Sequence, residues 1–196
     1  MIDPAGGHEP VTLARLLLDA GASVLQLRLK EAGARDFLSA ARAIVALAHE
    51  REACLIVNDR VDIAILAGAD GVHLGQQDLP LEAARRLVGA DRIIGISTHT
   101  VEQARVAEVG GADYIGFGAI YSGGLKNVQN AQGLERLREV RDAVQMPIVA
   151  IGGITEATIP AVLAAGADAA AIITDVVHAP NIAVKVKSIL TILRAV

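Results

Sequence analysis

An α/β fold of the (β/α)8 barrel type is predicted by three features of the 196-residue sequence. Short apolar runs alternate with longer amphipathic stretches from end to end, the pattern of parallel strands joined by right-handed helical crossovers. A Gly-Ala-Ser or Gly-Ala-Asp tripeptide recurs at Gly21, Gly68, Gly111 and Gly166. Each copy precedes an apolar run, so one repeat spans two strand–helix units and reads as a quarter of a barrel. Hydrophobic residues make up 53% of the chain but aromatics only 2%. The core must therefore be Val, Ile, Leu and Ala, which pack well between parallel strands and an outer layer of helices.

Four repeat copies imply eight strands. The first falls at or before residues 1–2, because residues 5–10 read as loop. The first strand is thus predicted to be truncated or missing. The visible strands are predicted at 23–29, 54–57, 71–74, 93–96, 114–120, 148–151 and 169–173. Helical periodicity marks 11–19, 35–50, 101–109, 134–144 and 156–165 between them. Gly21, Gly68, Gly110 and Gly166 stand where helices end, as C-terminal capping prefers. No linker or low-complexity tract divides the chain, so residues 1–196 are expected to form a single barrel domain.

Composition excludes several functions. A net charge of −4 without a local Lys/Arg run gives no footprint for nucleic acid. Cys54 has no partner for an internal disulfide and lies in an apolar run, which fits a reducing cytoplasm. No apolar stretch reaches membrane-spanning length and no signal pattern opens the sequence. A cytoplasmic enzyme acting on small molecules is expected, with homo-oligomerisation left open.

Barrel enzymes carry their chemistry just beyond the C-terminal ends of the strands. The first visible strand ends in Gln26, Leu27, Arg28, Leu29 and Lys30. Alternation puts Gln26, Arg28 and Lys30 on one side, which suits either one anionic ligand or solvated charges at a strand end. The next two strands lead to Asn58 and Asp59, then to Asp78. Two carboxylates after neighbouring strands can hold Mg²⁺ together with substrate phosphates, but each can equally cap its following helix. His73 reads as a structural, hydrogen-bonded histidine. Ser97 and Thr98 offer hydroxyls to phosphate, whereas Thr100 also suits a helix cap. Gly123, Gly124, Leu125 and Lys126 form either an anion-binding loop with a cation or an ordinary connection, as the polar residues 127–132 also allow. Gly152 and Gly153, with Ile173 and Thr174, end the last two strands, where such barrels often bind phosphate. Asp175 suits that site only if it points away or caps the helix.

Taken in order and spacing, these motifs are specific. The sequence resembles thiamine-phosphate synthases from Asp3 to the last helix, through QLRLK at 26–30, NDR at 58–60, GADGVHLGQQDLP at 68–80 and GISTHT at 95–100. The resemblance continues through GADYIGFGAIY at 111–121, Lys126, PIVAIGGIT at 147–155 and GADAAAIIT at 166–174. It implies a transferase that joins a hydroxymethylpyrimidine diphosphate to a thiazole phosphate and releases pyrophosphate. By the same resemblance Gln26, Arg28 and Lys30 hold the pyrimidine diphosphate, and Asn58, Ser97 and Lys126 contact its diphosphate. Asp59 and Asp78 ligate Mg²⁺, and Gly153, Ile173 and Thr174 bind the thiazole phosphate.

The sequence departs from the family at one loop. Relatives usually carry Thr-x-Thr-Lys where this chain has Gly123, Gly124, Leu125 and Lys126, which removes two hydroxyl donors. Leu29 replaces a residue often acidic in relatives. Two rival readings follow, a related thiazole tautomerase and an inactive paralogue that binds a phosphorylated ligand. Retention of Arg28, Lys30, Asp59, Asp78 and Lys126 argues against the tautomerase, as does Gly118-Ala119 where tautomerases carry a histidine.

Overall fold

Every strand pairing in the sheet is parallel, and the order of strands in space is their order in the chain. The computed structural model describes residues 1–3, 7–122 and 131–195. Its strands are β1 (Val24–Leu27), β2 (Cys54–Asn58), β3 (Gly71–Leu74), β4 (Ile93–Thr98), β5 (Tyr114–Gly118), β6 (Ile148–Ile151) and β7 (Ala169–Ala171). The helices are α1 (Pro10–Asp19), α2 (Ala34–His49), α3 (Val61–Ala67), α4 (Leu81–Val88) and α5 (Val101–Val109). They continue with α6 (Gly133–Ala143), α7 (Ile159–Ala164), α8 (Thr174–Val177) and α9 (Ile182–Ala195).

The alternation of the sequence becomes two faces of one sheet. Leu27, Val57, Val72 and Ile94 form one register row and are completely buried. A row of the opposite face runs through Asn58, His73, Gly95 and Tyr114, so the strands carry polar groups where they are not packed for hydrophobicity alone. The apolar core is contiguous from Ile2 to Ile189.

The described residues give seven strands rather than eight. The place of a further strand is taken by residues 1–3. Ile2 makes a single parallel bridge to Leu27, its N–H donating to the Gln26 carbonyl at 2.7 Å while Arg28 N–H donates to the Ile2 carbonyl at 2.9 Å. On the other side, the Met1 amine lies 3.4 Å from the Ile172 carbonyl, one residue past β7.

Strand ends differ from the sequence prediction where pairing decides them. β1 stops at Leu27, not residue 29, and β7 stops at Ala171, not residue 173, whereas β4 extends to Thr98 through its pairing with Phe117. The helix predicted at 156–165 divides into a 3₁₀ turn, Glu156–Thr158, and α7. Pro160 sits in the first turn of α7 and has no N–H to continue the ladder backwards. Gly68 caps α3 in the left-handed region at φ 71°, as predicted, but at the next repeat Gly110 stays right-handed and Gly111 makes the turn at φ 83°.

Candidate active site

The two aspartates singled out in the sequence cap no helix. The N-cap residues of α3 and α4 are Arg60 and Pro80, and neither helix has a side-chain cap. Asp59 follows β2 with φ at 66°, a left-handed conformation that Asp tolerates better than most residues but that still costs energy. Asp78 closes its own turn, accepting the Gly75 N–H at 2.6 Å. Their carboxyl groups meet. Burial raises the Asp59 pKa above the ordinary carboxylate value, and contact with Asp78 raises it further, while Lys30 opposes both. The Lys30 ammonium is 3.3 Å from Asp59 Oδ2.

Around this pair the other strand ends converge. Gln26 Nε2 donates to Asn58 Oδ1 at 2.6 Å, which joins β1 to the end of β2. Arg28 is half-buried and donates to the buried Asp3 carboxylate at 2.5 Å. A cleft of about 150 Å³ opens between Lys30, Asn58, Asp59 and Arg60, floored by Leu29 and Phe37. Leu29 is thus part of the wall, whereas the Leu27 side chain is fully buried in the core and offers only backbone.

Ser97, next to last in β4, has its hydroxyl 2.8 Å from His73 Nε2, and Gln76 Nε2 donates to its carbonyl at 2.6 Å. His73 is the buried structural histidine expected. Its Nδ1 lies 2.9 Å from the Tyr114 hydroxyl, and burial lowers its pKa to about 4. Thr98 differs from the prediction, being fully buried with its hydroxyl donated to the Gly116 carbonyl. Thr100 caps α5, accepting the Gln103 N–H at 3.1 Å.

After β6, Gly152 and Gly153 both take positive φ (96° and 65°), and a Cβ on Gly153 would come within 2.8 Å of Tyr121. Only glycine fits this turn. Ile173 and Thr174 follow the paired strand β7 and are partly exposed. Asp175 points away from them, accepting the Glu156 N–H at 2.8 Å and facing Lys185. Gly123, Gly124, Leu125 and Lys126 lie outside the described residues. Burial first, then the Asp70 carboxylate, raises the Cys54 thiol pKa, which suits no nucleophile.

Sequence reasoning passed over three contributors, Asp3 on Arg28, Gln76 on Ser97 and Tyr114 on His73. Tyr114 carried a usable signal, since so few aromatics occur in the chain. Asp3 carried none, because its pairing depends on where residues 1–3 lie.

Asp59 and Lys30 line a cleft past the end of β2, with Asp78 in contact with Asp59, and among the described residues no group of three or more His, Cys, Asp or Glu is placed to hold a metal ion. Residues 3–176 match the profile of the family described as thiamine monophosphate synthase. The chain is 46% identical over 179 residues to the thiamine-phosphate synthase of Moorella thermoacetica, covering 91% of this chain and 85% of that one. It is 45% identical over 188 residues to that of Chlorobium limicola, covering 95% and 90%. The thiamine phosphate pyrophosphorylase from Pyrococcus furiosus superposes with a TM-score of 0.91 at 35% identity, over 98% of this chain and 93% of that one. A 3-hexulose-6-phosphate synthase shares the fold at 22% identity and a TM-score of 0.72, which supports a TIM-like α/β architecture. The chain belongs to the thiamine monophosphate synthase family.

Proposed function

We propose that this enzyme joins a pyrimidine diphosphate to a thiazole phosphate at the C-terminal ends of its strands, giving thiamine phosphate and pyrophosphate. The observation that carries this reading is the contact of Asp59 with both Asp78 and Lys30, at a cleft that Lys30, Asn58, Asp59 and Arg60 line. Two like charges brought together by burial call for a cation, and hard oxygen donors suit Mg²⁺ shared with substrate phosphates. Asp59 and Asp78 would hold it. Bound Mg²⁺ supplies neutralisation of charge on the departing diphosphate.

The remaining chemistry belongs to the side chains. Lys30, Arg28 and Lys126 add positive field where negative charge grows as the C–O bond to the diphosphate breaks. Asn58 and Ser97 donate to its oxygens, and Gln26, tied to Asn58, orients the pyrimidine end. Gly153, Ile173 and Thr174, past the ends of β6 and β7, bind the thiazole phosphate so that the ring nitrogen captures the pyrimidine methylene carbon. No side-chain nucleophile enters. Residues 1–3 complete the (β/α)8 barrel in this reading, taking the place of its first strand.

Purified protein supplied with both substrates and Mg²⁺ should release thiamine phosphate and pyrophosphate in equal amounts, and chelation should stop it. Absence of product with both substrates present withdraws the proposal.

A further inference from the structure

The polar row inside the sheet contains a hydrogen-bond chain that simple packing does not require. Tyr114, His73 and Ser97 lie on three successive strands, β5, β3 and β4, and are linked through the two imidazole nitrogens at 2.9 and 2.8 Å. Space for both rings is made by glycine. A Cβ on Gly95 would lie 2.1 Å from the Tyr114 ring, and one on Gly116 would lie 2.9 Å from His73 Cε1. The rings are tilted at 34° with centroids 5.4 Å apart, so the contact is through the hydroxyl rather than by stacking.

The polarity of the chain follows from who can donate. A phenol hydroxyl donates one proton, and among the described residues His73 Nδ1 is the hydrogen-bond partner recorded for Tyr114. Both ring nitrogens of the buried His73 are engaged by hydroxyl groups, those of Tyr114 and Ser97, the setting of a neutral imidazole that carries one proton. Burial also keeps the Tyr114 phenol protonated. If Tyr114 donates to Nδ1, the imidazole proton must sit on Nε2 and point at the Ser97 oxygen. With the opposite tautomer, Nδ1–H would face the phenol oxygen, the phenol proton would lose its acceptor, and Ser97 would spend its own proton on Nε2.

We propose that Tyr114 and His73 are positioning residues that fix a Tyr114-to-His73-to-Ser97 donor sequence, leaving the Ser97 hydroxyl proton for an oxygen of the anionic substrate. This deepens the function proposed above and rests on its placement of the diphosphate beside Ser97. His73 therefore acts through Ser97 and touches no reacting atom.

Nitrogen-15 NMR of the wild-type protein, with the His73 signals identified by their loss in His73→Gln, reads the tautomer directly. The proton should be on Nε2, with Nδ1 bare and hydrogen-bonded. A proton on Nδ1 overturns the proposal whatever the enzyme's substrate proves to be. The functional arm uses inorganic pyrophosphate with Mg²⁺ as the probe. Tyr114→Phe removes the donor that sets the polarity and should weaken pyrophosphate binding about tenfold. The same substitution in a Ser97→Ala background should change nothing. Equal weakening in both backgrounds means that Tyr114 merely packs, and the positioning role falls. Failure of the protein to make thiamine phosphate would remove the assigned substrate yet leave the tautomer measurement valid.

Discussion

At the residue scale, the site stores electrostatic stress in Asp59. Its raised pKa means that the folded protein holds the charged carboxylate less comfortably than the unfolded chain does. Asp59→Asn should therefore leave the metal-free melting temperature at neutral pH unchanged or higher. It should lower turnover at least about a hundredfold. A large stability loss in that variant would mean that the carboxylate is structural. His73 has the opposite consequence. Its ordinary pKa of 6.5 falls to about 4 on folding, so below 6.5 the unfolded chain takes up a proton that the folded protein refuses. Stability is thus full above 6.5 and is lost as pH falls toward 4, by about 3 kcal/mol if the whole shift is expressed. Denaturant titrations at pH 7 and pH 4.5 should show His73→Gln losing less stability on acidification than the wild type. Equal losses would show that other groups govern the acid limb.

At the scale of elements, the tripeptide repeat has a physical meaning that its sequence only half discloses. The aspartates of three copies are clasps. Asp70 accepts the Leu55 N–H at 2.7 Å, Asp113 the Ile94 N–H at 2.7 Å and Asp168 the Ile148 N–H at 2.8 Å. Each ties the start of one strand to the next, pairing β2 with β3, β4 with β5 and β6 with β7. Each also has a basic partner, His49, Arg85 or Arg141. The period of the repeat and the alternation of elements could be read without coordinates, because spacing and hydrophobicity are local properties. The clasp could not, since it joins residues 15 to 20 apart through a turn. Strand ends were misjudged for the same reason. Residues 28–30 continue the alternation of β1 but have left its pairing, and this departure brings Lys30 to Asp59. Candidate residues at the strand ends were legible as a set; which of them touch was not. Asp113→Ala should cost about 1–3 kcal/mol in denaturant unfolding, the value of a lost acceptor for a partly buried N–H. Asp113→Asn, which keeps an acceptor but loses the Arg85 ion pair, should cost clearly less. Equal costs would assign the stability to the ion pair instead.

Across the whole molecule, residues 1–3 link the two edges of the sheet and the site. Ile2 hydrogen-bonds on both sides of Leu27, and Asp3 holds Arg28 one residue past the end of β1. Asp3→Ala should free that guanidinium and raise the Michaelis constant for the diphosphate substrate severalfold, with the constant for thiazole phosphate little changed. Parallel changes in both would point to loss of the contacts that residues 1–3 make with the sheet edges rather than of one cation's position. The net charge of −4 leaves the surface without attraction for anions, so the few cations at the strand ends must supply it locally. The central claim is that those strand ends hold a metal-bound diphosphate between β2 and β4. A crystal structure of the protein with Mg²⁺ and pyrophosphate tests it most directly. The account requires Mg²⁺ bound by Asp59 and Asp78, with a pyrophosphate oxygen in hydrogen-bond contact with Ser97. Pyrophosphate bound elsewhere, or Mg²⁺ held without either aspartate, would contradict it.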